Sequence, residues 1–136
     1  MSTIEQNQLR NAHKFLDLLS TSPVDFDALA DLLSPDFIFE HYPSTINMKP
    51  RNKAETIPFL KRGWNENFEY IKFSPPIDTI QGKDVVVFHV KSDGMHKSGK
   101  KYGNEYMLTF YFTGEKIARM KEFADSKYTV DYFASL

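Results

Sequence analysis

Cysteine is absent from the 136 residues. Its absence excludes disulfides, thiolate metal sites and thiol nucleophiles together. No stretch approaches the ~18 apolar residues needed for a membrane-crossing helix, so no membrane partner is expected. Charge of one sign is also missing. The formal net charge is −1, and no global field draws the chain to nucleic acid or an anionic membrane. The densest basic stretch, His96-Lys97-Ser98-Gly99-Lys100-Lys101, holds the Ser and Gly of a loop tip and reads as a solvated hairpin end. There is no glycine-rich phosphate loop and no nucleophile elbow. His41, His89 and His96 fall on separate elements without His-x-His or His-x-x-x-His spacing, so neither a metal nor another cofactor is expected. Met1 to Gln6 lacks the apolar run of a secretory signal, which makes the cytoplasm the expected location.

Aromatic residues are abundant. Twelve Phe, seven Tyr and one Trp make up 15% of the chain. Such side chains fill a core or line a cavity for a flat ligand, and composition alone does not choose between the two. Hydrophobic residues at 41% and charged residues at 26% suit an ordinary globular fold. The length fits a single domain spanning residues 1–136.

Helical periodicity dominates the first third. Ala12, Phe15, Leu16 and Leu19 form one stripe, and Phe26, Leu29, Ala30 and Leu33 repeat the spacing. Between them, Ser22 is placed to cap, Pro23 to take the first helical position and Asp25 to close a capping box. Ser34-Pro35 ends the second helix, because the residue before proline is pushed out of the α region. Asp36 to Tyr42 reads as a short aromatic strand closed by Pro43. Asn52 and Glu55 give a second capping signature ahead of Ile57, Phe59, Leu60 and Trp64, where Pro58 predicts a kink or a late start.

From Phe68 onward the pattern turns to strands. Phe68 to Phe73 is followed, after Pro75-Pro76, by Ile77 to Gln81 and a turn at Gly82-Lys83-Asp84. Val85 to Val90 is apolar almost throughout, as for a strand covered on both faces. Tyr102 to Thr113 and Lys116 to Asp125 flank Gly114-Glu115 as a hairpin. Ser126 is read as the cap of a short final helix. Helices first and antiparallel strands after them give an α+β class.

Two segments carry a family resemblance. Gly99 to Phe112 includes Tyr102-Gly103-Asn104-Glu105-Tyr106, and Gly114 to Asp125 includes Lys116-Ile117-Ala118-Arg119 and Glu122-Phe123-Ala124-Asp125. Together they resemble the SnoaL-like, polyketide-cyclase-like branch of the nuclear-transport-factor-two-like superfamily. One extra residue stands before Ile117, and Phe123 replaces the usual tyrosine. The resemblance implies a cone-shaped α+β barrel: a curved antiparallel sheet closed by three N-terminal helices, with a short C-terminal helix and an apolar pocket inside. It also implies a homodimer packed through the outer sheet face.

Alternation in the last strand groups Ala118, Met120, Glu122 and Ala124 against Ile117, Arg119, Lys121 and Phe123. The resemblance places Glu122 at the position of the family's acid–base carboxylate, facing the pocket; the alternative is an exposed glutamate paired across the sheet. Tyr42 stands where steroid-isomerase-like members carry their base, so that mechanism does not transfer. His41 is a candidate base or donor, or a rim histidine. His89 is a second candidate, or a satisfied core residue. Tyr106, Leu108, Phe110, Met120, Tyr42, Trp64 and Phe15 are candidate pocket lining, each with a plain core role as its alternative. His13 reads as solvated.

The leading expectation is a cofactor-independent isomerase, cyclase or dehydratase acting on a small apolar, polyketide- or terpenoid-like ligand. The alternatives are a non-catalytic binding domain, favoured by a pocket with no two titratable groups in hydrogen-bonding reach, and a protein adaptor.

Overall fold

A computed structural model describes residues 3–136; Met1 and Ser2, part of the stretch read for targeting, lie outside it. The first helix, α1 (Thr3–Leu19), buries the predicted stripe of Ala12, Phe15, Leu16 and Leu19. Helix α2 is shorter than its periodicity suggests and spans Phe26–Asp31. Its N-cap is Asp25, whose side chain accepts from the Ala28 N–H, so Ser22 and Pro23 precede the helix. Leu33, Ser34 and Pro35 already belong to strand β1 (Leu33–Tyr42).

A short β2 (Arg51–Asn52) leads into α3 (Lys53–Lys61). The capping box between Asn52 and Glu55 is complete, and the helix starts directly after it despite Pro58. The regular helix gives way to a π-helical turn at Arg62–Asn67, which carries Trp64. Wide turns of this kind are frequent at functional sites. Five strands follow: β3 (Phe68–Phe73), β4 (Asp78–Gly82), β5 (Val85–His96), β6 (Lys101–Tyr102) and β7 (Glu105–Thr113). The chain ends with β8 (Lys116–Ala124) and α4 (Ser126–Ala134), where Asp125, not Ser126, is the N-cap.

The eight strands form one curved sheet with the path β2-β1-β8-β7-β5-β3, not closed by hydrogen bonds. Strand β5 organises it. Its first half pairs with β4 and β7, and its second half pairs with β3 and β6. Gly94 permits that second half to approach β3, since a Cβ there would sit 2.9 Å from the Tyr70 carbonyl oxygen. The pairings are antiparallel except β1 with β8, which run parallel.

Val86, Phe88 and Val90 on β5 are fully buried, while Val85, Val87 and His89 are half-exposed. The strand is therefore covered on one face, with an apolar outer face that conceals its alternation. In β8 a bulge skips Ala118 in the pairing with β7. Ile117 and Met120 both point inward as a result, and strict alternation fails there. His13 is half-buried, its ring 4.7 Å from that of Phe88.

Gln8 ties α1 to the sheet. It is fully buried, and its amide donates to Asp84 Oδ1 and to the Gly114 carbonyl, both at 2.8 Å. These are the turns before β5 and between β7 and β8, where Asp84 and Gly114 take positive φ. A second, aromatic cluster of Phe68, Ile71, Tyr102 and Tyr132 holds α4 against the far half of the sheet.

Candidate functional site

A cavity of about 500 Å³ opens between the inner sheet face, α3 with its π-helical turn, and α4. That size suits a small organic ligand. Its wall is mostly apolar and aromatic, including Phe39, Phe59, Trp64, Phe68 and Ile71. The polar groups reaching it include His41, Arg51, Tyr102, Asn104, Tyr106 and Glu122.

Register brings the two central groups together. In the parallel β1–β8 pair, His41 stands directly opposite Glu122. Nε2 of His41 lies 3.7 Å from Oε2 of Glu122. The His41 ring stacks on Phe39 at 4.4 Å and meets Phe59 edge-on at 5.5 Å. Burial there, reinforced by the Arg51 charge, lowers its pKa from 6.5 to about 4. His41 is therefore neutral near pH 7. Its Nδ1 is buried without a hydrogen-bond partner. A bare lone pair is the less costly occupant of such a spot, which assigns the ring proton to Nε2, facing the carboxylate.

Glu122 retains 23% of its side-chain surface, yet it is deep within the protein, where accessible surface is not bulk water. Burial raises its pKa from 4.5 to about 7. A carboxyl group at that value can take up or release a proton at neutral pH.

Hydroxyls line the adjoining wall. Tyr106 exchanges a 2.8 Å hydrogen bond with Ser92, and its hydroxyl is 3.4 Å from that of Tyr102. Asn104 anchors this chain: its amide donates to Tyr102 at 3.2 Å and to Thr129 at 2.9 Å. Its carbonyl accepts from the Glu105 and Asp125 backbone, so all its polar capacity is committed. Burial raises the pKa values of both tyrosines, with the Glu122 charge acting in the same direction. They keep their protons at neutral pH.

The other sequence candidates fall elsewhere. His89 lies on the outer face, where Nε2 is 2.5 Å from Oε2 of Glu105, and no His89–Glu122 dyad forms. The reason is register: Phe88, Leu108 and Glu122 share a row, while His89 aligns with Met107 and Phe123 on the opposite face. Tyr42 is also outside, with its hydroxyl 3.0 Å from Glu40, its ring stacked on Phe123, and Arg119 paired with the same Glu40. That guanidinium holds the Glu40 pKa below the usual carboxylate value. Phe15, Leu108, Phe110 and Met120 are core residues and do not reach the cavity wall. Trp64 and Tyr106 do line it. Tyr102 and Arg51 were not singled out by the sequence. Tyr102 shares the Asn104 motif, whereas Arg51 sits in a stretch with no periodicity.

Residues 12–120 match the SnoaL-like domain model. The chain belongs to the SnoaL-like family. The match includes His41 and stops two residues before Glu122. Solved structures repeat the SnoaL-like architecture. BvnE pinacolase from Penicillium brevicompactum aligns with TM-score 0.84 and 22% identity over 98% of this chain and 93% of its own. PrhC from Penicillium brasilianum gives 0.85 and 19% over 97% and 89%. An NTF2-like protein from Anabaena variabilis gives 0.74 and 25% over 92% and 94%. No curated protein sequence matches significantly. Among the described residues, no helix is long and apolar enough to cross a membrane, and no cluster of three or more metal-ligating side chains occurs.

Proposed function

We propose that the cavity binds a small, largely apolar, polyketide- or terpenoid-like molecule and moves a proton on it, as in isomerisation, aldol-type cyclisation or dehydration. One observation carries this reading: a carboxyl group with a pKa near 7 faces a neutral imidazole at 3.7 Å inside an aromatic cavity. The Glu122 carboxylate takes a proton from carbon next to a carbonyl. Tyr102 or Tyr106 donates to the oxygen on which charge develops, and Glu122 returns the proton at a second position. His41 steadies the carboxylate through Nε2–H. The fold neighbours include a protein named as a pinacolase, which supports small-molecule chemistry on this fold.

The 3.7 Å separation exceeds a direct hydrogen bond, and this favours a second reading, a carrier that uses the same cavity without turnover. Catalytic contacts are often long in unliganded sites and tighten on binding.

Solvent deuterium exchange into a panel of small cyclic ketones and β-diketones separates the two. Catalysed exchange should rise through pH ~7 and fall by about 10²–10⁴-fold in Glu122→Gln. Exchange that survives that substitution would sink the assignment, and ligand binding without any exchange would establish the carrier. The reading includes a cytoplasmic homodimer packed through the outer face, where Ile80, Met107 and Phe123 are 57%, 42% and 53% exposed.

A further inference from the structure

Arg51 is the group in the cavity that the proton-transfer reading leaves unused. Strand pairing sets Arg51 opposite Phe39, so its side chain shares the inner face with a cavity-lining residue. Its guanidinium carbon lies 3.7 Å from the centre of the Phe59 ring. Its Nη1 is buried without a hydrogen-bond partner. Among the described residues no carboxylate forms an ion pair with this guanidinium. Glu55, which attracts Arg51 electrostatically, is committed to the Asn52 N–H at 3.1 Å as half of the capping box. Arg62, the first residue of the π-helical turn, also lines the cavity, and neither arginine forms an ion pair among the described residues.

A buried N–H donor without a partner is costly and is ordinarily satisfied. Burial lowers the Arg51 pKa, and the Arg62 charge repels that of Arg51 and lowers it further. Both costs are relieved by an anion between them, and the arginine fork suits a carboxylate.

We propose that the natural ligand is an amphipathic acid: an apolar body enclosed by the aromatic wall, with a carboxylate seated on Arg51 and assisted by Arg62. The inference rests on the cavity being a ligand site and specifies what enters it. It also orients the ligand. The carboxylate is held at the β2 side, which leaves the apolar body to extend past His41 toward Glu122 and the tyrosines.

The test uses the neutral fluorophore N-phenyl-1-naphthylamine as reporter and its displacement by decanoate and by decanol. Decanoate should displace it from the wild type at lower concentration than decanol, with the advantage shrinking as salt is raised. Arg51→Met should weaken decanoate about tenfold or more relative to decanol, with the reporter affinity of each variant measured alongside. Arg62→Met should show a smaller loss in the same direction. Equal displacement by the acid and the alcohol in the wild type overturns the anion assignment while leaving the cavity reading intact. Failure of the reporter to bind the wild type overturns both. The wild-type comparison decides the matter even if Arg51→Met does not fold.

Discussion

Replacing Glu122 by Gln should make the protein more stable at neutral pH, and the gain should vanish in acid. The carboxyl group titrates near 4.5 when unfolded and near 7 when folded. Between those values the native state binds more protons than the unfolded state, so stability falls as pH rises. At 1.36 kcal/mol per pH unit the full difference is about 3 kcal/mol, lost by pH 7 and constant above it. Gln fills nearly the same volume and removes the titration. The variant should match the wild type below pH 4.5 and exceed it by about 3 kcal/mol above pH 7. For a domain of this size that corresponds to roughly 10 °C in Tm.

His41 acts with the opposite sign. Its pKa falls on folding from 6.5 to about 4, so the unfolded state binds the extra proton and stability rises with pH across that window. In the wild type the two contributions largely cancel between pH 4.5 and 6.5. In Glu122→Gln the histidine contribution stands alone, and stability should climb by about 3 kcal/mol from pH 4 to 6.5. Urea denaturation of both proteins at a series of pH values measures the difference curve directly. Two parallel curves across the range would refute the reasoning, because they would mean that Glu122 titrates as if in water.

Asn104→Ala should cost about 2–4 kcal/mol and loosen α4 in particular, since the amide joins Tyr102, Thr129 and the Asp125 cap. Hydrogen exchange at residues 126–134 would report the loosening, and unchanged protection there would contradict it. If the outer face forms a dimer, Met107→Glu should reduce the mass seen by light scattering to that of one copy; a wild-type protein already at 15.8 kDa would end that proposal.

The parts of the fold legible in the sequence are those set by local rules. The α1 stripe and the Asn52–Glu55 capping box need only nearby residues, and both stand as read. The start of α2 was misplaced because Ser22-Pro23 mimics a helix start, while Asp25 makes the actual cap. Orientation in β5 was illegible for a different reason. Val85, Val87 and His89 on the outer face are nearly as apolar as their inward neighbours, and nothing local marks which side His89 takes. The bulge at Ala118 likewise leaves no trace in the residue pattern. Glu122 was found through family resemblance, and its partner His41 became identifiable only once parallel pairing set the two side by side. Arg51 escaped notice because a two-residue strand has no period to read.

That parallel pair also has a consequence for assembly. Among the described strands the first in chain order takes β8 as its neighbour, and β8 is the link between β1 and the rest of the sheet. Until residues 116–124 have been synthesised, β1, its short partner β2 and the α3 segment that follows cannot join the other strands. Such distant pairing slows folding, because the closure entropy is spent before the contacts form. A nascent chain halted before β8 would hold His41 without Glu122. The proposed proton-transfer pair should therefore assemble only after β8 has been made.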